Sequence, residues 1–144
     1  SQNARDIPWK LASSRQVEKG PEMTALTPLE IALAYFAAWN AHDVDQIASL
    51  FGDSGTFWDN QMPEPRPMRE LKPGFIGLMA LTKNLTFDVG GTFEAGDGRV
   101  VVEWIMKGEK GDGSSFAIPG IDVFEIEDAT ITAARAYMNP TALS

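Results

Sequence analysis

Hydrophobic and polar positions divide the chain into an arm, a helical part and a β part. Residues 1–26 show no sustained period, because Pro8, Pro21 and scattered charges interrupt them. They read as an arm that Trp9 and Leu11 could pin to the body. The sequence does not begin with Met, and Met23 stands just before the patterned region, so part of the arm is expected to be a processed or artificially appended leader. Order begins at Thr27-Pro28-Leu29-Glu30. Threonine at the N-cap, proline at the first helical position and glutamate three residues after the cap make a capping box. The helix that follows sets Ile31, Ala32, Tyr35 and Trp39 on one face, with Phe36 beside them, and should end near His42. Asp43 is positioned to cap a short second helix with Ile47, Leu50 and Phe51 inward.

From Gly55 the period becomes two, and Thr56-Phe57-Trp58-Asp59 reads as a short strand. Pro63, Pro65 and Pro67 predict a loop, and Lys72 to Leu81 a third helix with Phe75, Leu78 and Met79 inward. Strands are expected at 84–94, 98–108, 114–127 and 129–138, with Gly96-Asp97-Gly98 and Gly111-Asp112-Gly113 as turns. Gly90-Gly91 and Pro119-Gly120 fall inside strands, where they mark bulges or irregularities. Helices first and a strand meander afterwards predict an α+β fold, with a curved antiparallel sheet wrapped around the helices and a hollow within. After the arm, residues 27–144 form one domain.

Composition narrows the classes. The 144 residues include 12 Lys+Arg and 20 Asp+Glu, a net charge of −8, which disfavours nucleic-acid and membrane-surface partners. There is no cysteine, which excludes disulfides, thiol nucleophiles and Cys-type metal sites; a reducing cytoplasm fits. The single histidine, His42, cannot build a His-rich zinc site or a facial triad, and its position at a helix end favours a capping role over a catalytic one. No HExxH, P-loop, dinucleotide fingerprint or G-x-S-x-G elbow occurs. The reading therefore implies no cofactor and no metal. Asn84-Leu85-Thr86 is a formal glycosylation sequon, but it falls in a predicted strand.

Strand alternation sets Phe116, Ile118, Gly120, Asp122, Phe124 and Ile126 on one face. All but Asp122 are apolar or glycine, so Asp122 points into the core or a pocket and should hold its proton more tightly than usual. A bulge at Pro119-Gly120 would instead turn it to solvent. Asp59 shares a face with Phe57 at the end of its strand, where it could act as a general base or simply begin a turn with Asn60. Tyr35, mid-stripe with Trp39 one turn later, could offer its hydroxyl to an oxyanion or pack as core. Trp39, Trp58, Met79, Trp104, Met106 and Met138 could line an apolar pocket, together with Phe116, Ile118 and Phe124 of the Asp122 face, or be core.

The stretches Tyr35-Phe-Ala-Ala-Trp-Asn-Ala-His-Asp43, Ile47-Ala-Ser-Leu-Phe51 and Thr56-Phe-Trp-Asp59 resemble the NTF2-like superfamily. The likeness spans about residues 27–138 and is nearest to the ketosteroid isomerase and SnoaL-like branch. It implies a cone-shaped fold and a homodimer packed through the open sheet face. It also implies a cofactor-free isomerase or cyclase acting on a small apolar carbonyl compound. Under that resemblance Asp59 is the base, Tyr35 an oxyanion donor, and Asp122 the second donor in Pro119-Gly-Ile-Asp-Val-Phe124. Departures are visible. With only two tyrosines, Tyr35 and Tyr137, the extended tyrosine network of many such isomerases is missing, and Asn60 stands where proline is common. Trp104 and Met106 occupy the strand pair that the family's epoxide hydrolases fill with Arg and Asp. Cyclase, dehydratase, epoxide-opening and non-catalytic ligand-binding or association roles on the same scaffold are the alternatives.

Overall fold

The computed structural model describes residues 26–139. The expected arm, with Trp9 and Leu11, lies outside them apart from Leu26, which packs against the core. Helix α1 (Pro28–Asn40) opens with the capping box: Glu30 N–H donates to Thr27 Oγ1 at 3.1 Å, and Thr27 N–H to Glu30 Oε1 at 2.9 Å. At its far end Asp43 N–H donates to the Ala38 carbonyl and His42 N–H to the Trp39 carbonyl, a Schellman closure. His42 itself occupies the left-handed position, at φ 56, and its Nε2 lies 2.8 Å from the Leu85 carbonyl oxygen. Helix α2 (Val44–Ser49) is capped by the Asp43 carboxylate on Gln46 N–H.

Strand β1 (Phe51–Asp59) starts earlier than the alternation from Gly55 indicates, and Phe51 belongs to it rather than to α2. Its pairing slips between Phe51 and Thr56, so residues 51–55 carry no two-residue period. The two-residue β2 (Arg66–Pro67) leads into α3 (Met68–Leu81), which begins four residues before Lys72 and carries Pro73 inside it. Buried Met68 anchors that first turn, and Pro73 sits on the exposed side, where water can satisfy the carbonyl it leaves unpaired.

Strands β3 (Lys83–Gly96), β4 (Arg99–Glu109), β5 (Ser115–Glu127) and β6 (Thr130–Met138) follow as an antiparallel meander. Asp97 and Gly98, at φ 54 and 77, make the tight β3–β4 turn. Strand β1 joins the other edge of β6 in parallel, which completes a six-stranded, curved, unclosed sheet in the order β2-β1-β6-β5-β4-β3. The fold is the α+β cone expected. The register slips at Gly90-Gly91, between Val89 and Thr92. Pro119 and Gly120, in contrast, pair with Ile105 and Trp104 in unbroken register, so no bulge occurs there and alternation along β5 holds. Helix α1 lies across β3, β4 and β5, while α3 packs on β1, β2 and β3. Among the described residues, no helix is long and apolar enough to cross a membrane.

Candidate active site

Unbroken alternation turns Asp122 inward, where it is only 2% exposed and is the one buried charged residue among those described. Its partner comes from the next strand. Trp104 of β4 stands opposite Gly120 and donates its indole N–H to Asp122 Oδ1 at 2.8 Å. Glycine is needed opposite that ring, because a Cβ at position 120 would lie 2.4 Å from Trp104 Cη2. Gly120 thus lets the indole lie flat over the strand and reach the residue two positions along. Burial pushes the Asp122 carboxyl up to about 7; the Trp104 bond opposes the shift and the Asp59 charge adds to it.

Helix α1 supplies the opposite wall. Tyr35 is buried among the rings of Phe36, Phe51 and Phe124, with centroids 5.1, 6.1 and 5.2 Å away. Burial and the Asp122 charge push its phenol well above the usual range, so it stays a hydrogen-bond donor. One turn on, Trp39 packs against Phe75 and Phe87, tilted at 39° and 60° with centroids 4.8 and 5.3 Å away. A weak hydrogen bond from the Trp39 indole pulls the Tyr35 phenol partly back down, but Nε1 has no well-formed hydrogen-bond partner. Asn40 clasps β3 beneath the pair: its amide donates to the Phe87 carbonyl at 3.1 Å and accepts from Phe87 N–H at 2.7 Å.

Asp59 ends β1 half-buried, and its carboxylate accepts from Gln61 N–H at 2.8 Å. The turn reading and the pocket reading of this residue thus coexist, since the carboxylate that caps the turn also borders the cavity. Asn60 then joins the strand ends: its amide donates to the Met138 carbonyl at 2.7 Å and accepts from Met138 N–H at 3.2 Å.

Tyr35, Asp59 and Asp122 all line one cavity of about 250 Å³. Trp39, Trp104, Met106 and Met138 line it as well. Five residues expected in the lining lie elsewhere. Trp58 has the opposite parity to Phe57 and Asp59, so it faces the outer side, where its ring meets Tyr137 at 5.3 Å and its N–H donates to the Met62 carbonyl. Phe124 is sealed under Tyr35 and Phe36. Ile118 and Phe116 share Asp122's face but lie four and six residues back along β5, about 13 and 20 Å at the rise of a strand. Met79 packs half-buried on the core from α3, off that helix's cavity side.

The wall that sequence reasoning did not assign comes mainly from α3, through Leu71, Gly74, Phe75 and Leu78. These positions form a helical stripe, which a helix starting at Lys72 cuts short. Phe87 and Met62 add to the lining. His42 is not part of it.

Among the described residues no cluster of three or more His, Cys, Asp or Glu side chains could hold a metal ion. The arrangement provides two carboxyl groups close enough to feel each other's charge, a tyrosine O–H and an indole N–H in an apolar hollow. Such a set can accept a proton at one end and donate hydrogen bonds at the other.

Comparison with known proteins supports the same fold. No curated protein matches the sequence. Among solved structures, the chain is similar to a protein of ketosteroid isomerase-like fold from Catenulispora acidiphila in complex with trimethylamine. The two are 22% identical with a TM-score of 0.72, covering 82% of this chain and 91% of that one. It is similar also to an NTF2-like protein from Burkholderia thailandensis at 19% identity and TM-score 0.71, over 81% and 94% of the two chains. IdmH of Streptomyces antibioticus, a candidate polyketide cyclase, superimposes at 13% identity and TM-score 0.73, over 82% and 96%. Residues 32–134 match the SnoaL-like domain, from the first buried turn of α1 to the inward Ala134 of β6. The chain therefore belongs to the SnoaL-like family.

Proposed function

We propose that the cavity is the site of a cofactor-free enzyme that moves a proton alpha to a carbonyl of a largely apolar, steroid-, terpenoid- or polyketide-like substrate. Asp59 takes the α-proton. The developing enolate oxygen receives hydrogen bonds from the Tyr35 hydroxyl and from the protonated Asp122 carboxyl, and both strengthen as charge develops. Asp59 then returns the proton to the γ-carbon, which shifts the double bond into conjugation. Ketosteroid isomerase, of the branch this chain resembles, keeps a buried carboxylic acid protonated for the same purpose. The observation that carries the reading is the Asp122 carboxyl: it is buried, lines the cavity and is raised to about 7, and Trp104 occupies one oxygen, which leaves the other free to carry a proton.

The test is absorbance on mixing the protein with a β,γ-unsaturated cyclic ketone or ketosteroid, wild type beside Asp59→Asn. The conjugated enone is expected to form, and the variant to lose about 10²–10⁴-fold in kcat. Equal turnover in both proteins would remove Asp59 as base.

A second reading uses the same groups, with the enolate carbon attacking another carbonyl of the substrate to close a ring. The apolar walls and the likeness to candidate polyketide cyclases favour it. Product analysis separates the two, since ring closure changes the carbon skeleton and isomerisation does not. Binding of ketones without any turnover would leave a ligand-binding module.

A further inference from the structure

The three described tryptophans treat their indole N–H groups differently. Trp58 donates to the Met62 carbonyl at 2.8 Å, and Trp104 to Asp122 at 2.8 Å. Trp39 is 4% exposed and its Nε1 makes no well-formed hydrogen bond, only a weak one toward Tyr35. Buried donors are almost always satisfied, because an N–H taken out of water without a partner forfeits its hydration with nothing in return. Trp39 lines the cavity, one helical turn from Tyr35, and its buried N–H is turned toward the oxygen of Tyr35, which also lines it. The ring has little freedom to turn away, being held between Phe75 and Phe87, and Asn40 ties Phe87 to the same end of α1.

We propose that Trp39 is a substrate-binding donor: its indole N–H and the Tyr35 hydroxyl, one turn apart on α1, together grip a single acceptor oxygen of the ligand. The ligand class is then an apolar ring compound that carries a carbonyl, enolate or phenolate oxygen at one end. The proposal rests on the assignment of the cavity as the substrate site and adds to it a third donor, from a residue that packing alone would assign to the core. A donor that can only give, with no competing acceptor in its own ring, rewards a ligand acceptor and not another donor.

The test compares 2-naphthol with naphthalene, two ligands that differ by the acceptor oxygen. Titration calorimetry with Trp39→Phe, which keeps an aromatic ring between Phe75 and Phe87, is expected to weaken 2-naphthol about tenfold. Naphthalene affinity should stay unchanged. In wild-type protein the nitrogen–proton NMR resonance of the Trp39 indole, assigned by its loss in the variant, is expected to move downfield with 2-naphthol and not with naphthalene. That shift reads the bond without any substitution. Equal weakening of both ligands would reduce Trp39 to packing, an unmoved resonance would remove the bond, and failure of wild-type protein to bind 2-naphthol would remove the acceptor grip. Turnover separates this proposal from the reaction. Absence of proton transfer leaves the donor pair standing if the affinities still differ, whereas loss of that difference leaves an active Asp59 standing.

Discussion

Asp122 couples the chemistry of the site to the stability of the chain. A carboxyl with a pKa of about 7 when folded against 3.8 in its ordinary state binds a proton more tightly folded than unfolded. The sign follows directly. Below about 4 both states are protonated and there is no penalty; stability is lost as pH rises from there through about 7, and stays lost above. Three pK units correspond to roughly 4 kcal/mol. Asp122→Asn keeps an oxygen for the Trp104 N–H and carries no charge. It is therefore expected to gain stability over wild type at pH 8 and little at pH 4, as read by urea denaturation at the two values. Its kcat/KM should also escape the decline expected of wild type as pH rises past about 7. Parallel pH profiles for the two proteins would show that Asp122 does not titrate in this range. Much of this was legible in the sequence, since two-residue alternation along an otherwise apolar face sufficed to turn Asp122 inward. The poorly partnered nitrogen of Trp39 was not legible, because spacing tells which face a ring takes and not where its one polar atom points.

At the level of elements, the pairing of β4 with β5 does more than add a strand, because the Gly120–Trp104 opposition delivers the indole to Asp122. Gly120→Ala puts a methyl where the ring lies and is expected to cost about 1–3 kcal/mol by overpacking. It should also lower the Asp122-dependent activity more than its stability loss explains, measured by urea melts beside kcat. Retained activity with only a stability loss would show that Trp104 need not sit there. The capping box of α1 and the turn at Asp97-Gly98 were readable because each has its own local chemistry. The first half of β1 and the first turn of α3 were not. The former lies in a register slip, where β1 runs from Phe51 to Thr56 while its partner runs only from Ile131 to Ala133, so the surplus residues break the alternation; the latter depends on Met68 finding the core, a tertiary fact.

Across the whole molecule, the sheet has two unlike faces. One encloses the cavity, while the other leaves Phe93 56%, Ile105 40% and Tyr137 40% exposed. Inter-strand register brings Phe93 opposite Val101, and Ile121 opposite Tyr137, so apolar side chains run across several strands of that outer face. Patches of this kind mark association surfaces, and a homodimer through this face is the expected arrangement. Sedimentation should give about twice the 15.7 kDa chain mass. Ile105→Asp should return it to monomer, and a wild-type monomer at high concentration would refute the expectation.

The parallel seam between β1 and β6 carries a kinetic consequence. Asp59 lies opposite Ala136, whereas every other pairing of the long strands joins neighbours in the chain. Closing that seam requires the longest loop in the sheet, so its entropy is spent late, after the β3–β6 meander has formed around Trp104 and Asp122. Asp59, the proposed base, would then reach Asp122 only in the last step of assembly, and a partly folded chain would hold the proposed donors without it. Native-state hydrogen exchange is expected to open the β1–β6 amides at a lower free energy than those of β4–β5. Uniform protection would mean that the sheet opens as one unit. A differential would mean that the chain gains its chemistry and its final fold in a single event.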